Sequence, residues 1–391
     1  MQVNQIKTLF SVGFRPFFIL ALMYGMIAPV LWGLIFSGRL SLNSPSLNPF
    51  LWHAHEMLFG FGLAVLGGFL LTASKNWVKI RGINGTPLMI LVGLWLFERF
   101  VIYYPGFFGG IQSWLWQIFN NLFIFSLSGY LFYTLFKYRK NDTFSDNFFF
   151  YILLIVIIFA KNLLLNAEYY KIGIDLSVGL FRLAFAVMFE RTITQFMKNT
   201  EGLELYRNRY LDYAIKIFIL LSAFSGFMAD KVAGPVFLAA AILLFVRWII
   251  WKPLAGFKKF GNAVMYFGYF GLTLHLFLEA LNRFQLLPGQ PGTSSLHTFT
   301  FLCMGIVIPG MLIRICQGHT GRKPEFLASD KIAISLIVSA AVFRLILPIF
   351  NIENYSNYIF IAAICWSLCY VLLGRRLIPF CLSPRIDGKE H

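Results

Sequence analysis

The chain has 391 residues, of which 58% are hydrophobic, 18% aromatic and only 13% charged, and its mean hydropathy is +0.71. So little polar surface cannot cover a water-soluble globule, and the composition reads as all-α: a polytopic membrane bundle forming one integral membrane domain over residues 1–391. A formal net charge of +16 is no sign of nucleic acid here, because the basic residues sit in short breaks between apolar runs, where they set orientation.

Apolar windows near spanning length fall at about 17–36, 52–73, 87–104, 113–136, 147–165, 177–196, 211–229, 232–250, 262–283, 295–315, 328–349 and 357–379, which predicts about twelve transmembrane helices. The third window is interrupted by Glu98 and Arg99, and only Asp230 and Lys231 separate the seventh from the eighth. The first window has no short apolar core and cleavage site ahead of it, so it is expected to remain as a spanning helix. Sorting the breaks into two alternating sets places 24 basic residues on the side of both termini and 7 on the other, with Arg182 and Lys216 inside spans. By the positive-inside rule both termini are cytoplasmic. A missed or invented helix would have scrambled that asymmetry.

Only six histidines occur. His53 and His55 open the second helix at the outer face, His275 lies in the outer half of the ninth, and His297 opens the tenth at the same face. Imidazole is a common ligand of haem iron, copper and zinc, so four at one depth form the candidate metal pocket. Interfacial histidines also cap helices, which is the plainer use. On an ideal helix His53 and His55 point some 200° apart, so both serve one centre only if the helix begins after them. His319 stands alone at the cytoplasmic end of the tenth helix, on the order of 30 Å from His297, and His391 is terminal with no implied role.

Around the histidines, Glu279 follows His275 at one helical turn and could orient it, with an ion pair to Arg283 as the alternative. Phe301 and Met304 share the face of His297, and Met304 or Cys303 could be a soft ligand. Charges inside spans are functional hypotheses by default. Arg182 is the deepest of them; Glu56, Glu98, Arg99, Glu190, Arg314 and Arg344 lie nearer helix ends. The turn after His319, with Arg314, Arg322 and Lys323, could bind an anionic group or be a solvated basic loop. Asn76, Trp77, Arg385 and Asp387 are on the same face. Gly60, Gly62, Gly67 and Gly68 line the second helix, for close helix packing or for a flat cofactor. The five cysteines form neither a CxxC pair nor the CxxCH of covalent haem. No Walker loop, HExxH, GxSxG or dinucleotide fingerprint appears, and no repeat relates the two halves.

The segments GFRPFF (13–18), WHAHEMLFGFG (52–62), GGFLLTASKNW (67–77), the LH at 296–297, GHTGR (318–322) and PRIDG (384–388) resemble the NnrS family, in order and over nearly the whole chain. That family is described as haem- and copper-containing bacterial membrane proteins of the response to nitric oxide and nitrosative stress. The resemblance implies haem b and copper as cofactors and strengthens the expectation that the outer histidines, His53, His55, His275 and His297, are metal ligands, without saying which of them binds what; His319 is a further candidate cofactor residue. Arg15, Glu56, Glu279 and Arg322 are then the expected supporting residues. It also implies the bacterial cytoplasmic (inner) membrane, lipid as the surrounding partner, and nitric oxide or a nitrosylated small species as the ligand. ERTITQF (190–196) departs from the family by lacking a proline after Arg191. The alternative reading is a transporter of a metal, haem or nitrosylated species with the histidines as transient ligands; a third is a non-catalytic scaffold. Catalysis itself is left open by the residues, since a haem-copper reductase needs more imidazoles than one face supplies.

Overall fold

The computed structural model describes residues 3–41, 48–287 and 294–389; His391 lies outside the described residues. These form helices, with no strand among the described residues. Eleven helices among them are long and apolar enough to cross a membrane, and they coincide with eleven of the expected windows. We number the crossings α1 (Phe14–Phe36), α2 (Pro49–Trp77), α3 (Thr86–Tyr103), α4 (Trp114–Lys137), α5 (Phe148–Leu164), α6 (Tyr170–Glu201), α7 (Arg209–Ala223), α8 (Asp230–Ile250), α9 (Phe260–Arg283), α10 (Ser294–His319), α11 (Ala328–Phe350) and α12 (Tyr355–Leu382).

The exception is α7, with 15 residues and a rise of only about 22 Å. Its surroundings still place its two ends in different layers. Arg207, just before it, pairs with Glu190 of α6, whereas Asp230, just after it, accepts from Arg283 at 2.9 Å, and Arg283 also holds Asp175 near the start of α6 at 3.0 Å. A 3-10 turn at Ser225–Phe227 completes the traverse. The twelfth expected crossing is therefore a short helix plus a turn. Composition alone could not separate that from a full span.

Basic residues assigned to one side from sequence also gather together in space, joined by Lys216 from inside a span. Arg191, Lys216 and Arg247 converge on Asp146, Glu190 and Asp212 in one layer, and Arg99 and Lys161 meet Glu98 in the other. Packing closes the bundle: α1 runs along α12, α5 along α6, and α8 along α9. Close approach depends on small residues. A Cβ on Gly173 would lie 2.1 Å from Leu164 N, and one on Gly179 2.3 Å from Ala223 Cα. The glycines of α2 serve packing too, since a Cβ on Gly60, Gly62, Gly67 or Gly68 would press on Arg99, Phe181, Leu127 or Phe17. Ile27, Ile90, Phe125, Ile242 and Phe267 are exposed on the outer surface of the bundle, as lipid-facing positions require.

Three helices contain π-helical segments: Glu56–Gly62 in α2, Phe299–Gly305 in α10 and Val342–Ile346 in α11. A π turn accommodates one extra residue and loosens the regular backbone ladder. In α2 the Gly60 carbonyl accepts the indole N–H of Trp95 at 3.2 Å. In α10 the segment presses on α9, where a Cβ on Gly271 would fall 2.7 Å from the Leu302 carbonyl. All three segments adjoin the same cavity.

Candidate functional site

In the half of the bundle opposite the termini, α1, α2, α6, α10, α11 and α12 enclose a cavity of about 710 Å³. That size is within the roughly 300–1,000 Å³ of pockets that hold cofactor-sized ligands. Its walls are mostly aliphatic and aromatic, with Phe61, Phe301 and Trp366 among them, and its polar side chains are few: Asn48, His53, Tyr170, His297, Thr300, Arg344 and Tyr355. His53 comes from the first turns of α2, immediately before the π segment. Its ring lies flat on Trp32 of α1, centroids 4.2 Å apart and planes at 11°, and no hydrogen bond to either ring nitrogen is found among the described residues. His297 stands at the equivalent place in α10. Arg344 Nη2 is 3.3 Å from its Nδ1, and since a guanidinium only donates, Nδ1 accepts. Met304, one π-widened segment deeper, is also on the wall. The indole N–H of Trp366 has no partner among the described residues.

His55 faces away from this cavity, as helical geometry requires of a residue two positions from His53. Its Nδ1 lies 2.7 Å from Glu56 Oε1, and its Nε2 faces Glu98 Oε1 at 3.6 Å, beyond hydrogen-bond range. Arg99 Nη2 and Lys161 Nζ reach the same Glu98 oxygen at 2.5 and 2.7 Å, and Tyr24 donates to Glu56. All five ionisable residues are buried. They form a balanced nest of two carboxylates and two cations around the imidazole, tying α2 to α3 and α5.

His275 forms a third, separate site. Its Nδ1 donates to the Ser295 carbonyl at 2.8 Å, and its Nε2 lies 3.4 Å from Arg182 Nη1, so both nitrogens are engaged. Glu279 accepts from the Ser295 hydroxyl at 2.5 Å and thus supports His275 through Ser295. Arg283 turns to Asp175 and Asp230, and the alternative pair with Glu279 is not among the ion pairs of the described residues. Arg182, the deepest charge expected from sequence, joins α6 to this histidine and lies over the Phe237 ring at 5.1 Å.

The four outer imidazoles therefore share a depth but not a site: the structure brings His53 and His297 to one cavity and sends His55 and His275 into two different polar nests. Among the described residues, no three of His, Cys, Asp and Glu converge in a way that could hold a metal ion.

At the opposite end, His319 packs beside Phe14 with centroids 5.5 Å apart. The tail docks on the turn that follows it: Arg385 Nη1 donates to the His319 carbonyl at 3.1 Å, and Ile386 N to the Thr320 carbonyl at 3.1 Å. Gly321 holds φ +80°, and a Cβ there would sit 2.8 Å from Asp387 Cγ. Arg385 and Asp387 thus neighbour His319, whereas Trp77 stacks on Phe150 with Arg191 above it. Arg15 is a clamp rather than a ligand support, since its Nη1 donates to the Cys381 and Ser383 carbonyls at 2.7 Å each. Arg322 lies over Phe380 and Arg314 over Phe196, at 4.2 and 3.7 Å to the ring centroids. The five cysteines are free, although Cys316 and Cys381 bring their sulfurs to 3.6 Å.

Sequence reasoning missed the pairing of His53 with Trp32, the place of Arg344 beside His297, and the nest of Asp146, Glu190, Asp212, Arg191, Arg207, Lys216 and Arg247. Charged residues inside apolar windows were the available signal for the nest. No spacing rule reports which helix faces which.

A multi-pass helical membrane protein with a histidine-bearing cavity in one half of the bundle is the class these features define. The family model described as NnrS protein matches residues 8–385, nearly the whole chain, and the protein belongs to the NnrS family. No curated protein matches it.

Proposed function

We propose that the protein is a haem-binding protein of the bacterial cytoplasmic membrane that acts in the response to nitric oxide, taking up nitric oxide or a nitrosylated iron species at the cavity of His53 and His297. The observation that carries this reading is the opening of two imidazoles from different helices into one apolar, aromatic-walled space of about 710 Å³. The donor set fits haem b. Two imidazoles from different helices line the space and would be the iron ligands, the walls suit a flat apolar macrocycle, and Arg344 supplies a cation for an anionic propionate.

When bound, haem iron supplies a coordination position for a diatomic ligand. The chain's own residues do the rest. Trp32 fixes the plane of the His53 ring. Arg344 holds the Nδ1 acceptor of His297, and an anionic group drawing Arg344 toward the cavity releases that nitrogen. Phe61, Phe301 and Trp366 keep the space apolar, which admits a small neutral gas that partitions into lipid. Copper would draw on the same imidazoles with Met304 as a soft donor. Since no third histidine, cysteine or carboxylate converges there among the described residues, the cavity is assigned to haem first, and a haem-copper reductase centre is not supported by the described residues.

The test is the reduced-minus-oxidised spectrum, with metal analysis, of purified protein and of the His53→Ala, His297→Ala and His319→Ala variants. Haem b signals that weaken in the first two and persist in the third support the reading. Loss with His319→Ala alone would move the cofactor to the opposite end, and haem absent from every preparation, after reconstitution as well, would leave a carrier using the histidines as transient ligands.

A further inference from the structure

At the end of the bundle that holds both termini lies a second concavity, a cleft of about 1000 Å³. Basic residues from separate stretches of chain converge on it: Lys7 from the short helix before α1, Lys75 from the last turn of α2, Lys79 and Arg81 from the loop that follows, and Arg385 and Lys389 from the tail. Arg15 also lines it. No acidic residue lines the cleft among the described residues; nearby Asp387 is spent on Arg385, which it meets at 2.5 and 2.8 Å. Asn76, Asn84, Thr8 and Ser11 add polar groups, while Phe10, Ile80 and Met89 add apolar ones. Lys79 holds φ +54°, a left-handed conformation that non-glycine residues adopt rarely and at some cost.

A basic loop that only sets orientation has no reason to gather. Free cations in water lower their mutual repulsion by spreading apart, and the positive-inside bias is satisfied by charges anywhere on that face. Here Lys7, Lys75, Lys79, Arg81 and Lys389, for which no ion pair is found among the described residues, share one concavity with Arg15 and Arg385, which are already held by backbone carbonyls and by Asp387. Such a cleft focuses its field and attracts a counter-ion of matching multiplicity. The basic turn at Arg314 and Arg322 does not compete for this role, since both guanidinium groups lie over aromatic rings. The cleft also sits where α1 begins and α2 ends, at headgroup level, with carbon and ammonium groups side by side. Basic pockets between helices on the cytoplasmic side are a recurrent way of holding phosphate headgroups.

We propose that this cleft binds a ligand carrying two or more phosphate charges, either the double headgroup of a diphosphatidyl lipid or a soluble pyrophosphate group. The site is independent of the cavity of His53 and His297 and stands or falls apart from it.

The experiment uses the full-length protein in nanodiscs of phosphatidylcholine, alone or mixed with cardiolipin, with native mass spectrometry to count retained lipid. A parallel calorimetric titration uses inorganic pyrophosphate. The variant Lys7→Gln/Lys79→Gln/Arg81→Gln changes three exposed residues of the cleft. The control Lys258→Gln/Lys323→Gln/Arg375→Gln removes the same charge from exposed positions elsewhere on the same end. Thermal unfolding of both variants establishes that they are folded.

Cardiolipin retention that falls roughly a hundredfold in the cleft variant, and hardly at all in the control, supports a lipid ligand, given roughly a fivefold loss per basic residue near an anionic surface compounded over three residues. The same pattern with pyrophosphate alone supports a soluble ligand. Equal losses in the two variants, or no binding of either probe to the unaltered protein, would overturn the proposal.

Discussion

The nest around His55 makes a demanding prediction about Lys161. Its ammonium lies 2.7 Å from Glu98 Oε1 and donates to the Asn120 carbonyl, and its side chain is fully buried. Replacing it by methionine keeps the volume and the aliphatic stem but leaves Glu56 and Glu98 with Arg99 as their one cation. The outer half of the bundle then carries an uncompensated negative charge with no water to screen it. Removing one partner of a buried pair costs about 3–5 kcal/mol, and that is the destabilisation expected for Lys161→Met. Adding Glu98→Gln returns the nest to one carboxylate and one guanidinium, so the double variant should recover at least half of the loss, a coupling of about 2 kcal/mol. The assay is reversible unfolding in mixed micelles by titration with a denaturing detergent, followed by tryptophan fluorescence. A single variant within about 1 kcal/mol of the unaltered protein, or a double variant no more stable than the single one, would refute the charge-balance argument.

Gly173→Ala should be among the most damaging substitutions of its size, because its Cβ would meet the Leu164 backbone nitrogen at 2.1 Å. The start of α6 must then part from α5, at or above the ~1–3 kcal/mol usual for overpacking, and the yield of monodisperse protein on size exclusion should collapse. Gly321→Ala combines a φ of +80° with a clash against Asp387; hydrogen exchange in the tail after Ser383 should speed up while the spans stay protected. Asp387 lies beyond α12, and its hydrogen bonds to Arg385 hold the carboxylate below its ordinary 3.8, at about 2. A carboxylate depressed in this way contributes its stabilisation above the unfolded value and loses it as pH falls from about 4 through about 2. Tail docking is therefore expected to be flat from pH 5 to pH 9. An NMR titration of Asp387 should show its midpoint move up toward the ordinary value in Arg385→Ala.

Much of this architecture could be read from residue order. The apolar windows located eleven spans, and the window at 211–229, with the helix count supported by the alternation of basic breaks, marked α7 as a crossing although it is too short to qualify by length. The same alternation put Arg99 and Lys161 on one side and Arg191 and Arg247 on the other, and in the structure each pair lies in one layer. Helical geometry made the sharing of one centre by His53 and His55 depend on where the helix begins, and the helix begins before both, at Pro49. What residue order could not supply was the azimuth of each helix about its own axis. His275 and His55 share the depth of His297, and a depth is a single coordinate. Whether two side chains at that depth share a site depends on which faces the packing turns toward each other.

Those faces are decided by contacts between distant parts of the chain. Trp32 of α1 under His53, Arg344 of α11 beside His297, and Ser295 against His275 are meetings across helices that no local spacing encodes. The tail of PRIDG against the turn of GHTGR is another such meeting. Hydrophobicity, length and charge bias act on each segment separately and so are legible one segment at a time. Cavities, buried charge nests and the basic cleft arise from the simultaneous packing of several helices, and only the tertiary structure decides them.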